Sequence, residues 1–336
     1  MLMAASAVLN NHKRLTVKIK FLIAGCGSIG LRHIACLCTR KDVEIAAFDL
    51  NVEAKQKVMA IDDRIRFYSD CDQAFAEEKP LVTIVCTPNS SHKQMTLKAF
   101  SSGSHVLCEK PIADTVGDGI EMVEAAKNYS RFLAVGYTER YRESFDYITN
   151  KIKSGELGNL IGGRAMVGTY NTLLCAKSDF RSRVFGTLLV DYTHEIDMLR
   201  SIFGEVKDVV CKANSIAVKE LKATPSLASL LLEYESGALV SIHMDYVQHP
   251  QRRIMEFYGD RQVVEFDMQL DQVKVFDCDR KGYEVIQFDN IRNERFSLEH
   301  QDIINSVTKG TPPRVDGHGA VEVLKIAEIA LNQITK

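Results

Sequence analysis

Short apolar runs alternate with helical stretches between Val17 and Tyr137, and this alternation is the strongest constraint on the fold. Near-continuous apolar strands of this kind are typical of a parallel sheet that helices cover on both faces. Because the crossovers between parallel strands are right-handed, the sheet becomes doubly wound. We therefore predict an α/β domain over residues 1–138, in which residues 1–16 are a loose lead-in to the first strand.

The second half of the chain has a different pattern, with strand-like runs in succession from Ile161 to Asp277. Tight turns such as ESGA and YGDR join several of them, which indicates antiparallel neighbours. A helix from about Leu188 to Phe203 interrupts the series, and two more follow near Ser297–Thr308 and Gly319–Ile334. We predict an α+β domain over residues 139–336 with an open, mainly antiparallel sheet.

Charge and cysteine usage exclude several classes of protein. The formal net charge is -2 with both signs interspersed, so a nucleic-acid footprint and a polybasic membrane patch are absent. The first residues lack a basic n-region and a cleavage site, and no apolar run approaches the roughly 20 residues that span a bilayer. The nine cysteines are scattered without C-x-x-C spacing, which predicts buried thiols and no metal site. We expect a cytoplasmic protein.

Three glycines follow the first strand directly, in the stretch IAGCGSIGLRH. They have the G-x-G-x-x-G spacing, which permits a tight turn, close approach of a diphosphate and close packing of helix on strand. The helix that starts here offers free N–H groups and its positive dipole end to phosphates. The loop predicts a dinucleotide-binding Rossmann domain, with these residues at the cofactor: Gly25, Gly27, Ser28, Ile29 and Gly30.

Asp49 ends the second strand, 19 residues after Gly30. A carboxylate at this distance can accept hydrogen bonds from the adenosine ribose hydroxyls and repel a 2′-phosphate. This position favours NAD over NADP. The alternative is that Asp49 only caps the helix that follows.

The loop CTPNSSH lies at the end of a later strand, on the carboxyl edge of the predicted sheet, where ligands of such folds bind. Thr87, Pro88 and Asn89 are placed to line the nicotinamide ribose. His92 is predicted to bind the cofactor as well, although it could equally be a solvated residue in the first turn of the next helix.

The stretch VLCEKP, Val106 to Pro111, ends another strand on the same edge. Pro111 disfavours the α region for Lys110, which holds the lysine extended over the crevice near the expected nicotinamide. Glu109 is placed to bind the cofactor ribose or to tune the lysine. The simpler alternative is that the ammonium only reaches for water.

These three stretches, AGCGSIGLRH, CTPNSSH and CEKP, resemble in order and spacing the glucose-fructose oxidoreductase, inositol dehydrogenase and rhizopine catabolism (Gfo/Idh/MocA) family. The resemblance covers nearly the whole chain. It implies NAD(P)-dependent oxidation or reduction of a hydroxyl carbon of a sugar or cyclitol. It also implies a homo-oligomer, a dimer or tetramer, that assembles commonly through the outer face of the second sheet.

The family's third motif, an Asp and a His on one helix, corresponds to GTLLVDYTHEIDMLRSIFG. Asp191, His194 and Asp197 follow at i, i+3 spacings and would share a helix face, so that a carboxylate lies beside the imidazole. The spacing alone fits a core histidine between surface carboxylates equally well, and the family position favours His194 as general base. The family's commoner pattern has three residues between Asp and His, and here there are two. The choice between Asp191 and Asp197 therefore stays open.

Further basic residues are candidates by position alone. Arg140 follows the last strand of the first domain and could contact substrate or hold the domains together. Lys177, Arg181 and Arg183 precede the predicted catalytic helix and could bind a phosphate or carboxylate of the substrate, or simply be solvated.

We predict hydride transfer between NAD and a secondary hydroxyl or keto carbon of a sugar, amino sugar, nucleotide sugar or cyclitol. Lys110, His194 and Asp191 form the catalytic group and also bind substrate together with Arg140. A nucleotide-sugar 3-dehydrogenase or reductase is one alternative. The other is a non-catalytic protein of the same fold that senses NAD or a sugar, although a sensor has no need of a proton-transfer pair.

Overall fold

The first sheet is built from six short strands of the N-terminal half in the computed structural model, which describes residues 18–170, 187–214, 216, 225–279 and 282–334. The strands are β1 Ile19–Ala24, β2 Val43–Phe48, β3 Arg66–Tyr68, β4 Val82–Val85, β5 His105–Cys108 and β6 Leu133–Val135. All pairs are parallel and the order is β3-β2-β1-β4-β5-β6. This is the Rossmann order, in which the direction of winding reverses beside β1.

Five helices connect these strands: α1 Ser28–Leu37, α2 Ala54–Met59, α3 Cys71–Glu78, α4 His92–Ser101 and α5 Val116–Asn128. The predicted doubly wound domain is confirmed. The predicted elements did not include β3 or α3. The strand has three residues and α3 buries only Ala74, Phe75 and Glu78, so neither produces a readable apolar period.

The second sheet has eight strands: β7 Leu160–Gly168, β8 Val206–Ala213, β9 Leu227–Tyr234, β10 Leu239–Asp245, β11 Arg252–Gly259, β12 Gln262–Asp267, β13 Gln272–Asp277 and β14 Tyr283–Gln287. Their order is β14-β13-β12-β11-β7-β10-β9-β8, and only β7 with β10 is a parallel pair. The open, mainly antiparallel sheet is therefore confirmed. The edge strand β14 was not predicted because four of its five residues are exposed and show no alternation.

The helices that accompany the second sheet are α6 Glu143–Lys153, α7 Thr187–Asp191, α8 Thr193–Phe203, α9 Arg292–Lys309 and α10 Gly317–Ile334. The single helix predicted from Leu188 to Phe203 is thus two helices. Tyr192 separates them with φ -100° and ψ 27°. Its hydroxyl donates to the carbonyl of Asp245, 3.1 Å away, and its ring packs on Tyr246. This tertiary contact holds the break, and periodicity cannot reveal it.

The two sheets are joined by continuous packing. One apolar cluster includes residues of both sheets and passes through the buried side chains of Tyr137, Phe145 and Leu189. Helix α9 of the second half packs against α1 of the first half. None of the described helices combines the length and apolarity needed to cross a bilayer.

Candidate active site

The glycine loop between β1 and α1 is shaped by backbone contacts. Gly25 has φ +96°, and a Cβ atom there would lie 2.6 Å from the carbonyl carbon of Cys86. A Cβ on Gly30 would lie 1.9 Å from the oxygen of Gly25. A Cβ on Gly27 would meet no atom within 4 Å in the described part of the chain. The first and third glycines are thus required by packing, and the second faces open space.

This open space fits the diphosphate of a dinucleotide. Among the described residues no side chain caps α1, so the amides of its first turn stay free for an anion. Gly27 and Ser28 are exposed, and Ile29 is half-buried beside them. In the neighbouring loop, the hydroxyl of Thr87 is buried and has no hydrogen-bond partner among the described residues. Such an orphaned hydroxyl is a ready partner for a bound polar group.

Asp49 lies at the end of β2 against the glycine loop. Its two carboxylate oxygens accept the N–H groups of Cys26 at 2.7 Å and of Asn51 at 2.8 Å. The next helix, α2, begins after Glu53 and has no side-chain cap within the described residues. The alternative that Asp49 caps that helix is therefore wrong. The carboxylate is instead fixed against the glycine loop.

His92 is buried beneath the carboxyl edge of the sheet. One ring nitrogen lies 2.9 Å from the carbonyl oxygen of Pro111, and the other lies 2.9 Å from that of Thr87. It is not the solvated residue that was the alternative. It joins the two loops that carry Thr87 and Lys110, so it reaches the crevice through them and not by direct contact.

Lys110 points to the second domain and not to water. Its half-buried side chain donates a hydrogen bond from Nζ to the carbonyl oxygen of Asp191, 3.2 Å away, and its peptide bond to Pro111 is cis. This carbonyl can accept because the N–H of Glu195 binds the oxygen of Tyr192 instead. An ammonium at the C-terminal end of a helix is electrostatically favourable. The break between α7 and α8 thus creates the acceptor that fixes the lysine.

His194 lies on the first turn of α8 and is partly exposed. Its Nδ1 is buried and has no partner among the described residues, and its ring meets that of Tyr137 edge-on at 5.5 Å. Burial, followed by the nearby charge of Lys110, holds the pKa of His194 well below the usual histidine range. Both effects favour the neutral imidazole, which is the form that a general base requires.

The two carboxylates predicted beside this imidazole are each held by another side chain. The hydroxyl of Tyr246 donates to the carboxylate of Asp191. Arg140 Nη1 lies 3.4 Å from the carboxylate of Asp197, whose pKa burial raises to about 6 against the effect of the arginine. Arg140 thus joins the segment after β6 to helix α8.

A buried ion cluster under His194 was not predicted. Glu139 accepts hydrogen bonds from Arg142, from Arg295 at 2.6 Å and from Arg253 at 3.1 Å. Burial alone would raise the pKa of Glu139, but the three guanidinium groups hold it well below the usual range. Arg253 and Arg295 come from strand β11 and helix α9, far away in the sequence. The only local signal is the i, i+3 spacing of Glu139 and Arg142.

Glu109 binds backbone and imidazole and not the ammonium beside it. Its Oε1 lies 3.0 Å from His33 Nε2, and its Oε2 accepts the backbone N–H of Lys110 at 3.2 Å. The side chain is 14% exposed. The remaining lone pairs of the carboxylate can accept further hydrogen bonds. Lys177, Arg181 and Arg183, the candidates for an anionic substrate group, lie outside the described residues.

Two family models match this chain. The model of an oxidoreductase family with an NAD-binding Rossmann fold matches residues 19–137. The model of the same family's C-terminal alpha/beta domain matches residues 150–336. The first half is therefore an NAD-binding Rossmann domain by family as well as by geometry.

Known proteins resemble this chain at low identity. Inositol 2-dehydrogenase of Salmonella typhimurium is 28% identical over 194 residues, which are 56% of this chain and 55% of that protein, so the chain spans about half of that relative's length. An oxidoreductase from Agrobacterium radiobacter, solved with NAD+, L-tartaric acid and magnesium, gives a TM-score of 0.87 at 17% identity over 95% of this chain and 97% of that chain. UDP-N-acetylglucosamine 3-dehydrogenase from Acidithiobacillus ferrooxidans gives 0.81 at 17% identity over 95% and 98%. These likenesses show the fold. The family models match more than half of the residues, so this chain belongs to the Gfo/Idh/MocA oxidoreductase family.

Proposed function

We propose that this protein is an NAD-dependent oxidoreductase that acts on a secondary hydroxyl or keto carbon of a sugar-like substrate. The observation that carries the proposal is the Lys110 ammonium, which is anchored to the carbonyl of Asp191 beside the neutral imidazole of His194. A fixed cation next to a neutral base at the cofactor edge suits removal of a hydroxyl proton.

Each residue has its own role when the substrate is oxidised. Lys110 donates a hydrogen bond to the reacting oxygen and stabilises its negative charge. His194 accepts the hydroxyl proton as the carbon–oxygen bond becomes a carbonyl. Asp191 contributes its backbone carbonyl, which holds the ammonium in place. The nicotinamide, when bound, accepts the hydride from the substrate carbon.

NAD is the cofactor we propose, with NADP disfavoured. The carboxylate of Asp49 is fixed at the end of β2 by two backbone amides, where it would meet the adenosine ribose. A 2′-phosphate at the same place would be repelled by this charge. The four residues that follow, Leu50 to Glu53, offer no basic side chain to compensate. The dissociation constant should accordingly be lower for NADH than for NADPH.

The proposal is tested by a substrate panel followed through the absorbance of reduced nicotinamide. The panel contains cyclitols, free sugars, amino sugars and nucleotide sugars. One relative is named for a cyclitol and one structural neighbour is named for a nucleotide sugar. We expect turnover with one of these classes and NAD+. Tight NADH binding without turnover on any class would overturn the oxidoreductase proposal in favour of a sensor.

We also propose a homo-oligomer that forms through the outer face of the second sheet. This face exposes apolar side chains on adjacent strands, among them Val210, Leu231 and Leu239 at 47%, 45% and 52%. A contiguous exposed apolar patch of this kind is typical of an interface. Light scattering of the wild type should give a dimer or tetramer, and Leu231→Lys should shift it towards the monomer. A wild-type monomer would contradict the proposal.

A further inference from the structure

Two buried histidines and the partly buried Glu109 form a hydrogen-bonded chain from α9 to the carboxyl edge of the first sheet. His300 Nε2 lies 2.7 Å from His33 Nδ1, and His33 Nε2 lies 3.0 Å from Glu109 Oε1. Both imidazoles are fully buried. His33 also meets the ring of Phe296 edge-on at 5.0 Å, so its orientation is fixed by packing as well as by hydrogen bonds.

The chain of hydrogen bonds has one direction that keeps every group in its ordinary charge state. Burial holds the pKa of His300 well below the usual range, which favours the neutral imidazole with a single N–H. If that proton is on Nε2, His300 donates to Nδ1 of His33. Nδ1 of His33 is then the acceptor, and Nε2 carries a proton and donates to the carboxylate of Glu109.

The opposite direction leaves worse contacts. His33 would donate from Nδ1 to His300, and a bare Nε2 would face the Glu109 carboxylate, which places two acceptors 3.0 Å apart. His300 would also carry its proton on Nδ1, which is buried without a partner among the described residues. A buried donor without an acceptor is costly.

The carboxylate of Glu109 is also held from its other side. A Cβ on Gly136 would lie 3.1 Å from the Glu109 carboxyl carbon, so glycine leaves just enough room for the group. Oε2 accepts the backbone N–H of Lys110, and Oε1 faces His33. No ammonium pairs with this carboxylate among the described residues, because Lys110 Nζ binds Asp191. The unused lone pairs of Glu109 are thus aimed by the groups that surround it.

We propose that His33 is a positioning residue that orients Glu109 toward a hydroxyl group of the bound nicotinamide cofactor, and that His300 selects the tautomer in which His33 does so. The inference deepens the proposed function and rests on it. Through His300, helix α9 of the second domain becomes part of the cofactor site. His33 touches neither cofactor nor substrate and acts only through the carboxylate.

The test measures NADH binding by the fluorescence of the bound nicotinamide, which requires no substrate. His33→Phe keeps the ring and removes both hydrogen bonds, and it should raise the dissociation constant of NADH about tenfold, as for loss of a hydrogen bond to a charged group. His33→Gln retains a donor near the position of Nε2 and should stay within about threefold of the wild type. His300→Phe should act in the same direction with about half the logarithmic effect.

A double-variant comparison distinguishes a positioning role of His33 from a general loss of stability. In a Glu109→Gln background, His33→Phe should change the NADH dissociation constant less than about twofold, because the carboxylate it orients is gone. The matched control is His105→Phe, a histidine of the same domain that accepts the N–H of Phe132 at the opposite end of β5. It should leave NADH binding at the wild-type value.

A second measurement uses only the wild-type protein. Nitrogen-15 NMR of histidine-labelled wild type should show His33 protonated on Nε2 and unprotonated on Nδ1. The opposite tautomer would overturn the inference, and so would an unchanged NADH dissociation constant in folded His33→Phe. Failure of the wild type to bind NADH would overturn the proposed function as well. NADH binding by the wild type therefore distinguishes a failure of this inference alone from a failure of the proposed function.

Discussion

The glycine loop and the domain junction around His194 are both parts of the candidate site, but they are built in different ways. The loop runs through consecutive residues, and its shape follows from backbone contacts of Gly25 and Gly30. The junction brings together Glu139, Arg253 and Arg295 from three separate elements, with side-chain charges as the contacts. Local geometry thus prepares the cofactor half, whereas long-range electrostatics prepares the catalytic half. This difference makes the two halves respond differently to substitution.

The largest effect is expected at the lysine that joins the halves. Lys110→Met should lower kcat about a thousandfold or more, because the ammonium that stabilises the reacting oxygen is lost. The NADH dissociation constant should change less than about threefold, since the loop is intact. Lys93→Met, which removes an ion-paired surface lysine of α4, is the control and should keep full activity. Near wild-type turnover by Lys110→Met would contradict the proposed mechanism.

The second largest effect is a loss of stability at the domain junction around His194. Glu139→Gln removes the buried carboxylate that Arg142, Arg253 and Arg295 share and should lower the free energy of unfolding by about 3–5 kcal/mol. Urea denaturation measures the change. Glu233→Gln removes the exposed partner of Lys207 and should give no resolvable change. If both variants were equally stable, long-range charge would not be what holds the junction.

A smaller effect tests the loop. Gly27 has φ -69°, a value open to any residue, and its Cβ position is free. Gly27→Ala should therefore stabilise the protein without cofactor by about 0.4–1 kcal/mol. It should also weaken NADH binding about tenfold, because the methyl group occupies space for the diphosphate. Calorimetry and fluorescence titration separate the two effects.

Gly30→Ala is the matched comparison for this prediction. Its methyl group would lie 1.9 Å from the oxygen of Gly25, so the variant should be destabilised even without cofactor. Unimpaired NADH binding by Gly27→Ala would place the cofactor elsewhere.

The smallest expected effect is a shift in one pKa. The charge of Lys110 is the second cause, after burial, of the low pKa of His194. In Lys110→Met the pKa of His194 should rise, yet remain below about 6.5 because burial persists. Carbon-13 NMR titration of the histidine rings measures it directly. A pKa that stays unchanged would show that the ammonium and the imidazole are not neighbours.

The depressed pKa of His194 also predicts how the stability of the wild type changes with pH. Because the folded pKa of His194 is depressed, the unfolded chain binds more protons as pH falls. The contribution of this group to stability is complete above the unfolded value of about 6.5 and declines as pH drops below it. The decline from this group should be smaller in Lys110→Met, where the difference between folded and unfolded pKa is smaller.

Prediction from the sequence worked where the signal was local and failed where it was not. The G-x-G-x-x-G loop and Asp49 were found because a strand-to-helix turn restricts nearby residues in a way that spacing reveals. The single helix predicted over 188–203 was wrong, because Tyr192 breaks it through a contact with Asp245. The carboxylates predicted beside the imidazole are held by Tyr246 and Arg140, which are distant in the sequence.

The sequence by itself determined the family and the doubly wound parallel sheet of the first half, since these follow from periodicity and short motifs. Only the tertiary structure decided how the candidate site residues are held. The acceptor for Lys110 exists because one helix ends three residues before His194, and the orientation of Glu109 depends on His300, which is 191 residues away in the chain. Pairings of this kind are set by packing between distant elements, and no local pattern encodes them.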